Sequence, residues 1–381
     1  MPRLIFVTGS MAHGGAERLS VAVMNRLAER GHECHAVYVK NERPGLLDRV
    51  RLGEGGTLHC LNAARYLDLR ALAEFAAHLA SMRPSVIVAA NAYALMYAWL
   101  ARRLARLRTP LMVTYHSTRL LGVKEQLQML VYRLFFWTAD CAVFVCERQR
   151  RHWLRRGLWS RRSEVIYNGV DIEEFSATRD PAAREAMRGA LGIPNSDYVI
   201  GMSAVLRREK NPVQLVDAVA GLRRRGIAGY ALLIGDGEMR GAVEARARAL
   251  GIERHVLIAG LQRDVRPYIA ACDVMVLCSA TEALSLAAIE AMALGKPVVH
   301  SDVGGAREMI VPASNGFLFP PGDTSAFVDR LTLLADPALR ARLGGRARET
   351  AEKLFSERTM INRYERTLLE LCAQGDRPSG P

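Results

Sequence analysis

Glu282 and Glu290 stand eight positions apart at the head of an apolar run, TEALSLAAIEAMALGKPVV. Between Ala283 and Gly295 the one charged residue is Glu290, with small or aliphatic residues on every side of the helix that this stretch predicts. A helix apolar all round is buried, and a carboxylate without a partner there is costly. Glu290 is therefore expected to meet a polar group. A ligand hydroxyl suits it, and a structural ion pair is the plainer alternative. Ser285 and Leu286 open the helix, so free amides and the positive end of its dipole lie beside Glu282. Such an end receives phosphate.

Other residues invite chemistry with less force. Gly14 and Gly15 follow the first apolar run and open a helical pattern, where a glycine backbone can approach a ligand and the Gly15 amide could cap a diphosphate. His116 closes the run LMVTYH. At the C-terminal edge of a parallel sheet a histidine lies where ligands collect, although taken alone it reads as structural. Gly235-Asp236-Gly237 after YALLI imitates a dinucleotide fingerprint, but Gly241 gives the spacing G-x-G-x-x-x-G and no acidic residue closes a following strand in register. Nicotinamide binding is not expected. The seven cysteines include no C-x-x-C pair and read as reduced, mostly buried thiols, so neither a disulfide framework nor a zinc site is expected.

The elements that must position these residues alternate along the chain. LIFVTG, HAVYV, VIVAAN, LMVTYH, CAVFVC and EVIYNG read as strands in the first half, and YVIGMSAV, YALLIG, HVLIAG, VMVLCS and PVVHSD in the second, with helix-period segments between them. This predicts two parallel sheets with covering helices. A chain of 381 residues suits two domains. The polar, turn-rich stretch between Val170 and Pro194 is the expected change of domain. We place an N-terminal acceptor-binding domain at 1–172, a C-terminal donor-binding domain at 173–355, and at 356–381 a helix returning to the first domain with a frayed tail.

At Glu282 and Glu290 the chain resembles the retaining GT-B glycosyltransferases of family 4, whose signature is two glutamates with seven residues between them. HGGAER (His13 to Arg18), VIYNGVDIEEF (Val165 to Phe175), REKNP (Arg208 to Pro212), LLIGDGEMR (Leu232 to Arg240), LIAGLQRDVRPYIAACDVMVLCS (Leu257 to Ser279) and GGAREMI with GFLFPPGD (Gly304 to Asp323) extend the resemblance over nearly the whole chain. It implies two Rossmann-like domains facing each other across a cleft, and transfer of a hexosyl or N-acetylhexosaminyl group from a UDP- or GDP-sugar with retention. Glu282 would then bind hydroxyls of the donor sugar and Glu290 the ribose, while amides at Ser285 and Leu286 hold the diphosphate. Lys210 would supply a cation there, His116 would stand near the sugar, Gly235 near the nucleotide, and Val265 near the base. Two departures are visible. Ala283-Leu284-Ser285 replaces Gly-Phe-Gly after the first glutamate, and Val205 stands where the family carries a phosphate arginine, leaving Arg207 as the nearest substitute. No Asp-x-Asp occurs in the chain, so protein cations and amides rather than a metal are expected to take the charge of the leaving diphosphate. No cofactor beyond the donor is implied.

Charge speaks to the acceptor. Residues 1–170 carry 25 Lys and Arg against 12 Asp and Glu, while residues 171–381 carry 27 of each. The excess is densest in ERQRRHWLRRGLWSRRS, where seven arginines between Arg148 and Arg162 interleave with Trp153, Leu154, Leu158 and Trp159. This mixture suits an anionic membrane surface and hence a lipid-linked or other membrane-borne glycan acceptor. A solvated helix is the plain alternative, and nucleic acid is not expected. MPRLIFVTGS enters a strand without an h-region, and Asn91 interrupts the longest apolar run, so the expected address is cytoplasmic, with a peripheral place on the inner membrane face. Two other readings compete: a nucleotide-sugar epimerase or hydrolase of the same fold, and a non-enzymatic basic membrane-binding module.

Overall fold

The computed structural model describes residues 2–11, 15–41, 45–116, 122–176 and 180–375, with backbone alone at 123–125 and 375. It divides into two compact units. Unit 1 takes the chain up to Tyr167 and from Met360 onward, and unit 2 runs from Asn168 to Thr359.

Unit 1 alternates strand and helix. Its strands are β1 (Arg3–Thr8), β2 (Glu33–Tyr38), β3 (Leu58–Cys60), β4 (Val86–Ala90), β5 (Leu111–Tyr115), β6 (Cys141–Phe144) and β7 (Arg162–Val165). Helices α1 (Gly15–Glu29), α2 (Leu69–Met82), α3 (Asn91–Leu104), α4 (Val123–Trp137) and α5 (Glu147–Arg155) connect them. The seven-stranded sheet is parallel in the order β3-β2-β1-β4-β5-β6-β7. Strands β4, β5 and β6 are buried along their whole length, because helices cover both faces of such a sheet.

In unit 2 the strands are β8 (Tyr198–Ser203), β9 (Gly229–Ile234), β10 (Val256–Gly260), β11 (Val274–Leu277), β12 (Val298–Ser301) and β13 (Gly316–Phe319). Its helices are α6 (Ile172–Ser176), α7 (Pro181–Ala190), α8 (Pro212–Arg224), α9 (Arg240–Ala249), α10 (Arg266–Ala271), α11 (Leu286–Ala293), α12 (Ala306–Met309), α13 (Thr324–Leu333) and α14 (Pro337–Leu354). The order β10-β9-β8-β11-β12-β13, again parallel, reverses direction between β8 and β11. A last helix, α15 (Glu357–Gly375), places Ile361, Tyr364, Leu368 and Leu371 in the core of unit 1, where its Glu365 binds Arg30 at 2.5 Å and His32 at 2.7 Å.

The two parallel sheets expected from the alternation are present. Two strands escape that reading. Both lie at sheet edges; β3 is three residues long, too short for a period to show, and β13 opens on a glycine, Gly316, a residue that disfavours strands. The stretch read as a change of domain lies inside unit 2 and holds α6 and α7. Asp180 caps α7 and Pro181 sits at its first turn. Arg188 on α7 is fully buried. Its guanidinium donates to the carbonyls of Ala271, Asn195 and Asp197 at 2.8–3.0 Å and pairs with Asp273 at 2.8 Å. Asp273 also accepts from the Val199 amide and from Arg184, which ties α7 to the first residues of β8 and β11. The division between the units falls at Tyr167 and Asn168, just before this stretch, and its polar sequence hides a charged anchor.

The arginine-rich stretch is also reassigned in part. Trp153 and Leu158 are buried in the unit 1 core and are not available to a membrane. Arg150 and Arg151 share Glu147, Arg161 pairs with Asp140 and Arg162 with Glu370. Cys34, Cys141, Cys146, Cys272 and Cys278 are buried, and Cys60 and Cys372 half-buried, all as free thiols. Among the described residues no helix is long and apolar enough to cross a membrane.

Removing one member of a buried ion pair costs roughly 3–5 kcal/mol. Arg188→Met is accordingly expected to lower the urea stability of unit 2 by that amount, since the Asp273 carboxylate and three carbonyls lose their donor. A loss below about 1 kcal/mol would show that α7 is not anchored this way.

Candidate functional site

The reversal between β8 and β11 sets the loops that follow them side by side at the C-terminal edge of the unit 2 sheet, a place where ligands gather in open α/β folds. After β8 the chain makes a tight turn over Arg208–Lys210, and Asn211, at φ +49°, hands over to Pro212 at the start of α8. The turn aims Lys210 at the loop after β11. Its Nζ donates to Glu282 Oε2 at 2.6 Å, with both side chains largely covered. A backbone bond from the Ala280 amide to the Glu209 carbonyl, 2.8 Å, fastens the same two loops.

Glu282 is braced from behind. Gly304, at φ +54°, lies so close that a Cβ there would stand 1.9 Å from the Glu282 carbonyl oxygen. The next amide, Gly305, donates to Ala283 at 2.7 Å. Three residues beyond Glu282, the Ser285 side chain caps α11 by accepting from the Ala288 amide at 3.3 Å. Asn168 holds the Leu284 carbonyl at 3.2 Å. Leu286 begins the helix half-buried, and Glu290 lies one turn further in, buried on a helix whose flanking residues Ala288 to Ala293 are also buried.

The structure thus gathers Lys210, Glu282, Ser285, Leu286 and Glu290 into one corner of unit 2. Arg207 is not drawn into it. Its guanidinium is 62 % exposed, and the carboxylate it reaches is Glu209 at 4.0 Å. Gly235 serves the corner indirectly. At φ +147° a Cβ would meet the Ala204 carbonyl at 1.9 Å, so glycine is required for the loop after β9 to press against the loop after β8. The Leu206 amide then donates to Asp236 and the Met239 amide to Leu206, both at 2.9 Å. The G-D-G motif is explained by this backbone contact. Val265 stands half-buried at the head of α10, beyond the edge strand β10, where Asp264 pairs with Arg266 at 2.8 Å.

Two polar groups beside this corner were not singled out from sequence. His300, at the end of β12, is fully buried. Its Nδ1 lies 2.6 Å from the Ser301 carbonyl, which places the proton there, and its Nε2 has no partner among the described residues. Burial holds this imidazole below its ordinary pKa despite the nearby Glu282 charge, so it is neutral. The hydroxyl of buried Ser279 also lacks a partner among the described residues. His300 lies within the run PVVHSD, and nothing local marked it.

In unit 1, His116 follows β5. Its amide donates to Asn91 Oδ1 at 3.3 Å, and its ring Nε2 stands 3.3 Å from Thr114 Oγ1. Asn91 takes φ +70° where β4 turns into α3. The ring shares a small cavity with Phe6, Thr8, Ala90 and Tyr364, and desolvation there pushes its pKa down to about 4. His116 is therefore a neutral hydrogen-bonding group at pH 7. Gly15 opens α1, and a Cβ on it would meet nothing within 4 Å. No close approach forces glycine there, and its neighbours His13 and Gly14 lie outside the described residues. No three His, Cys, Asp or Glu side chains come together as a metal site among the described residues.

Comparison with known proteins follows the two units. The family described as Glycosyl transferases group 1 matches residues 183–350, and Glycosyltransferase Family 4 matches residues 13–174. The chain is 31% identical over 357 residues to the lipopolysaccharide core biosynthesis glycosyltransferase LpsE of Rhizobium meliloti, covering 92% of this chain and 94% of that one. It is 28% identical over 365 residues to the N-acetyl-alpha-D-glucosaminyl L-malate synthase of Bacillus anthracis, covering 92% and 93%. Among solved structures, HepE of Anabaena in complex with UDP-glucose superposes with a TM-score of 0.84 at 24% identity over 97% of this chain and all of that one.

The brace behind Glu282 can be tested without reference to activity. Gly322 also has positive φ, +81°, but a Cβ on it would meet open space. Gly322→Ala should show backbone strain alone, about 1–2 kcal/mol, whereas Gly304→Ala should add a steric cost of about 1–3 kcal/mol. Equal falls in denaturation midpoint for the two variants would contradict the close approach.

Proposed function

The chain belongs to the group 1, family 4 glycosyltransferases, and we propose that as one of them it moves a hexosyl or N-acetylhexosaminyl group from a UDP- or GDP-sugar to a glycan hydroxyl with retention at the anomeric carbon. The observation that carries this reading is the Lys210–Glu282 pair at 2.6 Å beside the Ser285-capped start of α11. A cation and outward-facing amides there meet the demand of the leaving group. As the bond from the anomeric carbon to the phosphate oxygen breaks, that oxygen gains charge, and preorganised donors stabilise the transition state more than the bound donor.

Each residue then has a part. Lys210 neutralises the diphosphate, and the amides at Ser285 and Leu286 donate to it. Glu282, released in part from Lys210 when the phosphate arrives, accepts from hydroxyls of the sugar and positions it. Glu290 accepts from the ribose. Gly235 keeps the loop after β8 in place, Val265 lies on the side of the base, and Arg207, exposed on the turn that carries Lys210, is a second cation for the phosphates. In unit 1, which takes the acceptor, His116 acts as a neutral hydrogen-bonding group and the Gly15 amide as a further donor. The incoming hydroxyl bonds to the anomeric carbon on the face that the diphosphate leaves, and its proton passes to the departing phosphate oxygen. Neither a side-chain nucleophile nor a metal is needed.

The acceptor we propose is a lipid-linked or other membrane-borne glycan, as the relatives in lipopolysaccharide assembly and the positive charge of residues 1–170 suggest. A protein of this kind would work on the cytoplasmic face of the membrane.

A thermal-shift screen of nucleotide sugars identifies the donor, since a ligand at about 100 times its Kd adds roughly 2.7 kcal/mol of stability. With that donor, Lys210→Ala and Glu290→Ala are each expected to fold and to lose at least about tenfold in transfer, roughly 1.4 kcal/mol of transition-state stabilisation. Wild-type transfer in either variant would refute the site. Transfer is also expected to survive EDTA. Its complete loss, restored by magnesium or manganese, would overturn the metal-free scheme, and release of free sugar with no acceptor dependence would favour a hydrolase.

A further inference from the structure

From Leu127 to Trp137 helix α4 is apolar except at Gln128, Tyr132 and Arg133, and it carries apolar residues on its exposed side as well as its covered one. Met129 and Phe136 face the core of unit 1. On the other side Leu127, Leu130, Val131, Leu134 and Trp137 are between 47% and 59% exposed. Their spacing of three and four residues puts them on one face. Trp159, 56% exposed, stacks on Trp137 at 6.1 Å between ring centroids and extends the apolar strip to a second element. Both indoles are fixed by their N–H groups, Trp137 donating to the Gly157 carbonyl and Trp159 to that of Leu154, each at 2.9 Å.

Those carbonyls belong to the end of α5 and the turn after it, so the strip borders directly on Arg155 and Arg156, both exposed. Among the described residues neither Arg155 nor Arg156 has a carboxylate partner, and the Arg156 guanidinium meets His152 at 3.0 Å. Arg133 on α4 lies against Gly157. An apolar strip carrying two exposed tryptophans and edged with arginines is the chemistry of the boundary between anionic headgroups and acyl chains.

We infer that this face of α4, with Trp159 and the arginines at the end of α5, docks unit 1 on an anionic lipid surface. The inference deepens the proposal of a membrane-borne acceptor and rests on it. It moves the contact from the arginine-rich stretch alone to a neighbouring helix whose apolar residues enter the headgroup layer. A second copy of the chain is a poorer occupant, because a self-complementary contact would bring the same arginines against each other. Lipid supplies the opposite charge.

Vesicle flotation tests this with phosphatidylcholine alone and with phosphatidylglycerol added. Wild type is expected to bind the anionic vesicles at low salt and to weaken as salt rises past about 0.15 M, where the Debye length is near 8 Å. Leu130→Gln with Leu134→Gln should cut binding at least about tenfold at either salt. Arg155→Ser with Arg156→Ser should cut it only at low salt. Both variants change exposed residues, and an unaltered melting temperature with an unaltered response to UDP or GDP shows that they fold. If wild type ignores anionic vesicles, or if the glutamine variant binds as wild type does, the docking face is overturned. A wild-type dimer that the glutamine variant converts to monomer, with no vesicle binding, overturns it in favour of self-association. Failure of UDP and GDP to stabilise wild type would instead count against the donor site and leave the vesicle result standing.

Discussion

The ion pair between Lys210 and Glu282 is the contact on which the candidate site depends. It joins the loops after β8 and β11, the two strands between which the unit 2 sheet reverses its winding. A flexible ammonium and a carboxylate that keep some contact with water gain only modestly from each other by charge alone. What makes the pair definite is its frame. The turn of Arg208–Lys210 and the left-handed Asn211 aim the lysine. The close approach of Gly304 and the bond from Gly305 set the backbone of Glu282. Behind the lysine loop, Gly235 lets a third loop press in. The cation is thus preorganised before a ligand arrives.

Much of this corner was legible in the sequence because its chemistry is local. Glu282, Ser285 and Glu290 lie within nine residues, and a helix with one buried charge has few uses for it. The brace was not legible. Gly304 meets Glu282 through the folding of two loops, and a glycine among 31 carries no mark of which one does so. His300 and Ser279 were missed for the same reason, since their significance lies in polar atoms left without partners after folding. Arg207 is the opposite case. Its place in the sequence suggests a partner of Lys210, while its side chain stands in solvent.

For the fold, period and alternation were enough for most strands and failed at two edges, at β3, which is three residues long, and at β13, which opens on glycine. Composition misled where burial and charge part company. Arg188 is among the most deeply buried side chains of unit 2, yet it lies in a polar stretch that reads as a change of domain. Trp153 and Leu158 looked available beside seven arginines and are core, while the apolar side of α4, which any hydrophobicity argument would bury, faces outward.

The central claim is that Lys210 and the first amides of α11 hold the diphosphate of the donor. The most direct measurement is the distance from Lys210 Nζ to the nearest phosphate oxygen in a crystal structure of the complex with a nucleoside diphosphate. The account predicts hydrogen-bonding range, about 2.7–3.2 Å, with a second phosphate oxygen on the amide of Ser285 or Leu286. A diphosphate bound elsewhere, with the Lys210–Glu282 pair intact and no phosphate on α11, would contradict it.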